Sequence, residues 1–162
     1  MQKFTQKYVI AHFIDDVPDG LEFSMEDWPL HVTLAGVFSI KGSSEDLTAR
    51  LNEKLHHYPI LQSTVIRDEL FGENNDIPVR IVDQTKDLLA LHYVIVNVLE
   101  EFGVQFNSPE FAYEGFGPHV TIQKDTQLEI GDVVKFDSIA LVDMFPGQDE
   151  RQRKILGTVS FV

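Results

Sequence analysis

Apolar and polar positions along this chain fall into blocks of period two and blocks of period three to four, and the blocks predict its elements in order. Residues 7–14 alternate, with Tyr8, Ile10, His12 and Ile14 against Val9, Ala11 and Phe13, and read as a strand. Residues 15–29 form an acidic loop that holds Gly20 and Trp28, and residues 30–40 read as a second strand. Ser43-Ser44-Glu45-Asp46 is a helix start with a serine cap and acids in the first turn, followed by Leu47, Leu51 and Leu55 as a buried stripe. His56 and His57 lie near that helix's end, where the dipole favours an imidazolium, and take no catalytic role.

Residues 61–70 predict a third strand, 71–78 a turn rich in Gly, Asn and Asp, and 79–82 a short fourth strand. A longer helix is expected over 84–102, with Leu88, Leu91, Ile95, Leu99 and Phe102 on one face and Gly103 ending it. Residues 105–117 read as a loop, and 133–145 with 153–162 as a hairpin around Pro146-Gly147. This order predicts an α+β fold with mostly antiparallel strands, organised as one domain over 1–162.

Within that pattern one tetrapeptide recurs: His31-Val32-Thr33-Leu34 and His119-Val120-Thr121-Ile122. Two such matches are expected by chance in about one chain in several thousand of this composition. On a strand, His and Thr of each copy share one face while the aliphatic residues point behind them into a core. Two imidazoles and two hydroxyls brought together would suit a phosphate ester. Histidine can accept or donate a proton near neutrality, and threonine donates to phosphoryl oxygens without adding charge.

Composition narrows the picture. An apolar fraction of 43% with 12 Phe in 162 residues is ample for a compact core, and no apolar run is long enough to span a membrane. The first seven residues lack a signal-peptide core. The absence of cysteine excludes disulfides, thiolate nucleophiles and Cys-based zinc sites, and fits a cytoplasmic location. A net charge of −13 opposes a grip on long nucleic acid, so any nucleic-acid substrate is expected to be short or held at one end. No His-Glu-x-x-His or close His-x-His spacing and no nucleotide-hydrolase glycine loop occurs, so neither a metal nor a cofactor is expected.

At these residues the chain resembles the two-histidine (2H) phosphoesterases, also called 2′-5′ RNA ligase-like or LigT-like proteins. The resemblance rests on the two His-x-Thr-x motifs 88 positions apart and on their proline-led contexts, Pro29-Leu30-His31 and Gly117-Pro118-His119. It extends to Phe71-Gly72 through Val79 and to Leu91-His92. It implies a bilobal, pseudo-twofold duplicated fold with flanking helices and the motifs facing each other in a central cleft. It implies metal-independent opening of a 2′,3′-cyclic phosphate, or a related 2′-5′ ester, at a short RNA terminus or on a nucleotide. His31 and His119 would then be general base and general acid in an order left open, and Thr33 and Thr121 would hold the phosphate. Two other readings stand beside it: a small-molecule cyclic nucleotide phosphodiesterase without an RNA role, and a non-catalytic nucleotide-binding module.

Lys124 stands where many RNA-handling relatives carry arginine, and is the candidate substrate contact after the second motif, although strand alternation turns Gln123 rather than Lys124 towards the His119 face. Trp28, Phe38, Tyr113, Phe116 and Phe145 are candidates to stack a base. Phe116 is preferred, while Phe38 alternates towards the core. His12 and His92 are read as structural. Arg151, Arg153 and Lys154 form the one basic cluster and are expected on an exposed strand end. A monomer is expected.

Overall fold

A computed structural model describes residues 6–123 and 127–162 of the chain. Among these residues ten strands form two sheets, with two α-helices beside them, and every strand pairing is antiparallel.

The larger sheet is built around β1 (Tyr8–Phe13), whose residues are all buried. Its alternation sorts them into two cores rather than into core and solvent. Tyr8 and Ile10 join the main core, and Val9, Ala11 and Phe13 a smaller one completed by Val142, Met144 and Ile155. β2 (Glu22–Ser24), β3 (His31–Ser39), β6 (Gln105–Phe106), β9 (Ser138–Asp143) and β10 (Gln152–Ser160) complete this sheet in the order β2-β10-β9-β1-β3-β6. The smaller sheet runs β7-β5-β4-β8, from β4 (Leu61–Phe71), β5 (Ile77–Val82), β7 (His119–Thr121) and β8 (Val133–Phe136).

The first helix starts as the sequence predicts, and the second starts two residues later than expected. In α1 (Ser44–Leu55) the Ser43 Oγ accepts from the Asp46 amide at 3.1 Å, and Leu47, Leu51 and Leu55 are buried. Each such leucine contributes about 1.5–3 kcal/mol by leaving water. In α2 (Lys86–Glu101) the cap is Thr85, whose Oγ1 accepts from the Leu88 amide at 3.1 Å. Its buried face is wider than the leucine stripe, taking in Val96, Val98 and His92 as well. Gly103, at φ +64°, ends it.

Several expected boundaries move. The predicted strand over 133–145 is two strands, β8 and β9, which belong to different sheets and are separated by Asp137 alone. The turn after β4 is tighter than predicted: β5 begins at Ile77, and Gly72 and Asn75 turn the chain at positive φ. The acidic loop contains β2, which edges the larger sheet against β10. The loop over 105–117 contains β6 and two 3₁₀ turns, Pro109–Phe111 and Tyr113–Gly115. No helix among the described residues is long and apolar enough to cross a membrane.

Candidate active site

The two repeated tetrapeptides lie on β3 and β7, one in each sheet, and these strands touch without pairing. In both, the valine between His and Thr is buried and the His and Thr are half-buried. Val32 and Val120 enter the same main core, so one body of apolar packing fixes both motifs from behind.

The histidines are held alike. His31 Nδ1–H donates to the Pro29 carbonyl and His119 Nδ1–H to the Gly117 carbonyl, each at 2.9 Å and each two residues back along the chain. A carbonyl oxygen only accepts, so the proton of the neutral ring sits on Nδ1 and the lone pair is left on Nε2 in both rings. A pair of Nε2 atoms so prepared can take one proton and deliver another.

Their surroundings differ. His31 packs against Trp28 at 4.4 Å between centroids and Phe13 at 5.8 Å. Burial holds its pKa below the ordinary 6.5; the Pro29 carbonyl partly opposes this, and the nearby His119 adds to it. Among the described residues His119 meets a single aromatic ring, Phe71, edge-on at 4.6 Å and 67°. Gln123 Nε2, two residues past Thr121, donates to the Trp28 carbonyl at 2.8 Å and ties the end of the second motif to the aromatic wall of the first.

A cleft of about 370 Å³ opens beside the motifs, lined by Thr33, Leu34, Gly36, Phe71, Phe111, Gly115, Phe116, Gly117 and His119. None of these is a lysine or an arginine. The cleft is shaped by backbone at Gly115, where a Cβ would stand 1.8 Å from the Glu110 carbonyl oxygen. Among the described residues no cluster of His, Cys, Asp and Glu is arranged to hold a metal ion.

Thr33, His119 and Phe116 therefore line the cleft, and His31 stands beside them on β3. Phe116 is only 6% exposed, with one face of its ring stacked on His92. Phe111, which sequence reasoning missed, stands 68% exposed on the rim. Phe71 was also missed as a site residue: its place over His119 depends on the β4–β5 hairpin folding back on β7, which no local pattern signals. Phe38 is core, and Tyr113 is engaged with Glu100 at 2.6 Å. Lys124 lies outside the described residues.

Arg153 corrects the expected exposed basic cluster. It is 5% exposed, and its Nη1 donates to the carbonyls of Met144, Glu150 and Gln152, with the guanidinium 5.8 Å from the Trp28 ring centre. Backbone oxygens partner Nη1, while the buried Nε has no hydrogen-bond partner among the described residues. His12 is structural: its Nδ1–H donates to the Ser138 carbonyl at 2.9 Å beneath Phe136.

The model of the 2′-5′ RNA ligase superfamily matches residues 10–135, well over half of the chain. Among solved structures, a phosphoesterase aligns with 16% identity over 97% of this chain and 98% of its own, at a TM-score of 0.57. LigT of E. coli in complex with ATP aligns with 14% identity over the same shares of both chains, at 0.59. The same LigT in complex with 3′-AMP, again with 14% identity over those shares, scores 0.57. At these identities the likeness is one of fold. No curated protein sequence matches significantly.

Proposed function

This chain belongs to the 2′-5′ RNA ligase superfamily, and from that premise we propose that it is a metal-independent phosphoesterase that opens a 2′,3′-cyclic phosphate on a short RNA terminus or a nucleotide. The observation that carries this reading is the matched pair of histidines on touching strands, each with its Nδ1 proton committed to a carbonyl two residues back.

In hydrolysis, one Nε2 takes a proton from water as its oxygen bonds to phosphorus. The other, protonated, delivers its proton to the ribose oxygen that leaves as the cyclic P–O bond breaks. The ring opens to a phosphomonoester, and each histidine ends in the other's starting state. Hydroxyls of Thr33 and Thr121 donate to the non-bridging oxygens, where charge grows in the transition state. Phe116 floors the cleft, Phe111 offers a ring to a base, and Lys124 is assigned a contact to the substrate. A single 2H domain carries all of these groups, and its setting is the cytoplasm.

The cleft volume suits one small ligand. With the net charge of −13 and no lysine or arginine in the lining, this favours a nucleotide or the last residue of an RNA over a longer strand. The small-molecule cyclic nucleotide phosphodiesterase is the second reading, and the same observation supports it.

The test is turnover, in EDTA, of nucleoside 2′,3′-cyclic phosphates and of an RNA oligomer ending in a cyclic phosphate, with wild type beside His31→Ala and His119→Ala. Activity that survives the chelator and is lost in both variants is the expected result, and the faster substrate chooses between RNA end and nucleotide. A folded wild-type protein that turns over neither would overturn the proposal.

A further inference from the structure

Behind the cleft, outside the pair of motif histidines, stands a third imidazole with both ring nitrogens engaged. His92, on α2, is 1% exposed. Its Nδ1–H donates to the Leu34 carbonyl at 2.6 Å, which leaves Nε2 unprotonated, and Nε2 accepts the Tyr113 amide proton at 2.9 Å. Its ring lies flat on Phe116, with centroids 4.1 Å apart and planes within 5°.

These three partners belong to the two halves of the site. Leu34 follows Thr33 in the first motif strand. Tyr113 and Phe116 belong to the wall of the cleft that runs into His119. From this geometry we infer that His92 is a positioning residue, a latch that holds the second motif and its wall in register with the first. The inference rests on the phosphoesterase reading only for what the register is used for.

The residue type fits the task. The position must donate in one direction, accept from the other, and present a flat face between them. Lysine and arginine only donate, an ionised carboxylate only accepts, and an apolar side chain does neither. Burial lowers the His92 pKa, which keeps the ring in the neutral form that can do both. If this place needed only filling, leucine would serve better, since every other buried residue of α2 is aliphatic.

The wall also needs holding. Tyr113 sits at φ +57°, a conformation few non-glycine residues adopt. Besides the bond to His92, its hydroxyl donates to Glu100 and its ring meets Tyr93, both on α2, at 2.6 Å and 5.7 Å. The Gln84 side-chain amide, just before that helix, donates to the Phe116 carbonyl. Through these contacts α2 clamps the wall, and the His92–Leu34 hydrogen bond extends the clamp to the first motif strand.

The test compares His92→Phe, which keeps a flat ring on Phe116 and loses both hydrogen bonds, with His92→Gln, which keeps a donor and an acceptor. In His92→Phe we expect the Tyr113 amide to exchange about a hundredfold faster, and the ring resonances of His31 and His119 to move. We expect kcat to fall about a hundredfold while KM stays within about threefold, since a small misplacement of reacting groups is felt in the chemical step. His92→Gln should recover most of both losses. A Phe variant with wild-type amide exchange, ring resonances and kcat would overturn the latch. So would a Gln variant that folds but is no better than Phe. Should the wild type turn over no cyclic phosphate, the functional reading fails by itself. Amide exchange and ring resonances then still decide the latch: their movement in Phe and return in Gln would support it, and their constancy would overturn it.

Discussion

The two copies of the motif agree in chemistry and differ in setting. Each histidine donates through Nδ1 to a carbonyl two residues upstream at the same 2.9 Å, and each is backed by a buried valine. Yet His31 belongs to a nine-residue strand inside a six-stranded sheet, between β1 and β6, and is packed by Trp28 and Phe13. His119 belongs to a three-residue strand at the edge of the smaller sheet and, among the described residues, meets the one aromatic ring of Phe71. The tautomer and orientation are local properties, written in a few consecutive residues. Aromatic packing is a property of the whole fold and has not been duplicated. The packing around His31 lowers its pKa and favours its neutral form.

The sharpest way to break the comparison is to delete each histidine. His31→Ala and His119→Ala should each lower kcat/KM about 10³-fold, because each removes one of two proton transfers. Losses that differ by more than tenfold would show that the copies are not chemical equals. Next, Thr33→Val and Thr121→Val should each cost about 10²-fold in kcat, the usual worth of one donor to a charged transition state. Unequal costs would show that the phosphoryl group is held from one side.

Backbone differences come third. Gly115→Ala drives a Cβ into the Glu110 carbonyl beside the second motif, whereas Gly36→Ala, on the first motif's strand, meets nothing within 4 Å. Thermal melts should show a Tm several degrees lower for the former, about 1–3 kcal/mol of strain, and a near-unchanged Tm for the latter.

The smallest effect tests the burial argument directly. Trp28 is the only tryptophan and lies on His31, so its emission reports the charge of that ring. The His31 pKa is lowered, so the ring is neutral at pH 7 and the emission midpoint should fall below 6.5. In His119→Ala the midpoint should rise, since a nearby like charge has been removed. A midpoint at or above 6.5 in the wild type would contradict the aromatic wall as a cause of asymmetry.

What could be read beforehand follows the same division between local and global. The period-two pattern placed Val32 and Val120 in a core and His and Thr on the other face, because the pleat imposes it within a few residues. Phe38 reached the predicted face for a subtler reason. The register between β1 and β3 slips twice in the same direction, leaving Leu34 and Ala35 both buried, and the two slips add to an even shift that restores the alternation by Phe38. The capping serine announced the first helix, and the leucine spacing the second.

Partners distant in sequence were not legible. Nothing in Val133 to Phe145 marks Asp137 as the point where the chain leaves one sheet for the other. Arg153 reads as a surface charge because the carbonyls that receive it belong to backbone, which every sequence has. His92 reads as packing, and its two hydrogen bonds come from segments far from it along the chain. Phe71 and Phe111 become part of a site only once a hairpin and a loop have closed on the second motif.

The strand order also sets a timetable for assembly. β1, with residues 8–13, sits between β3 and β9, and beyond β9 comes β10, ending at Ser160. The sheet that carries His31 is therefore unfinished until nearly the whole chain has been made. A ribosome adding about 5–20 residues per second would expose β1 and its apolar faces for several seconds before β9 and β10 emerge. The smaller sheet waits in the same way for β8. Contacts that close so late in synthesis make for slow folding, and they leave the first motif the longest exposed of all the parts of the site.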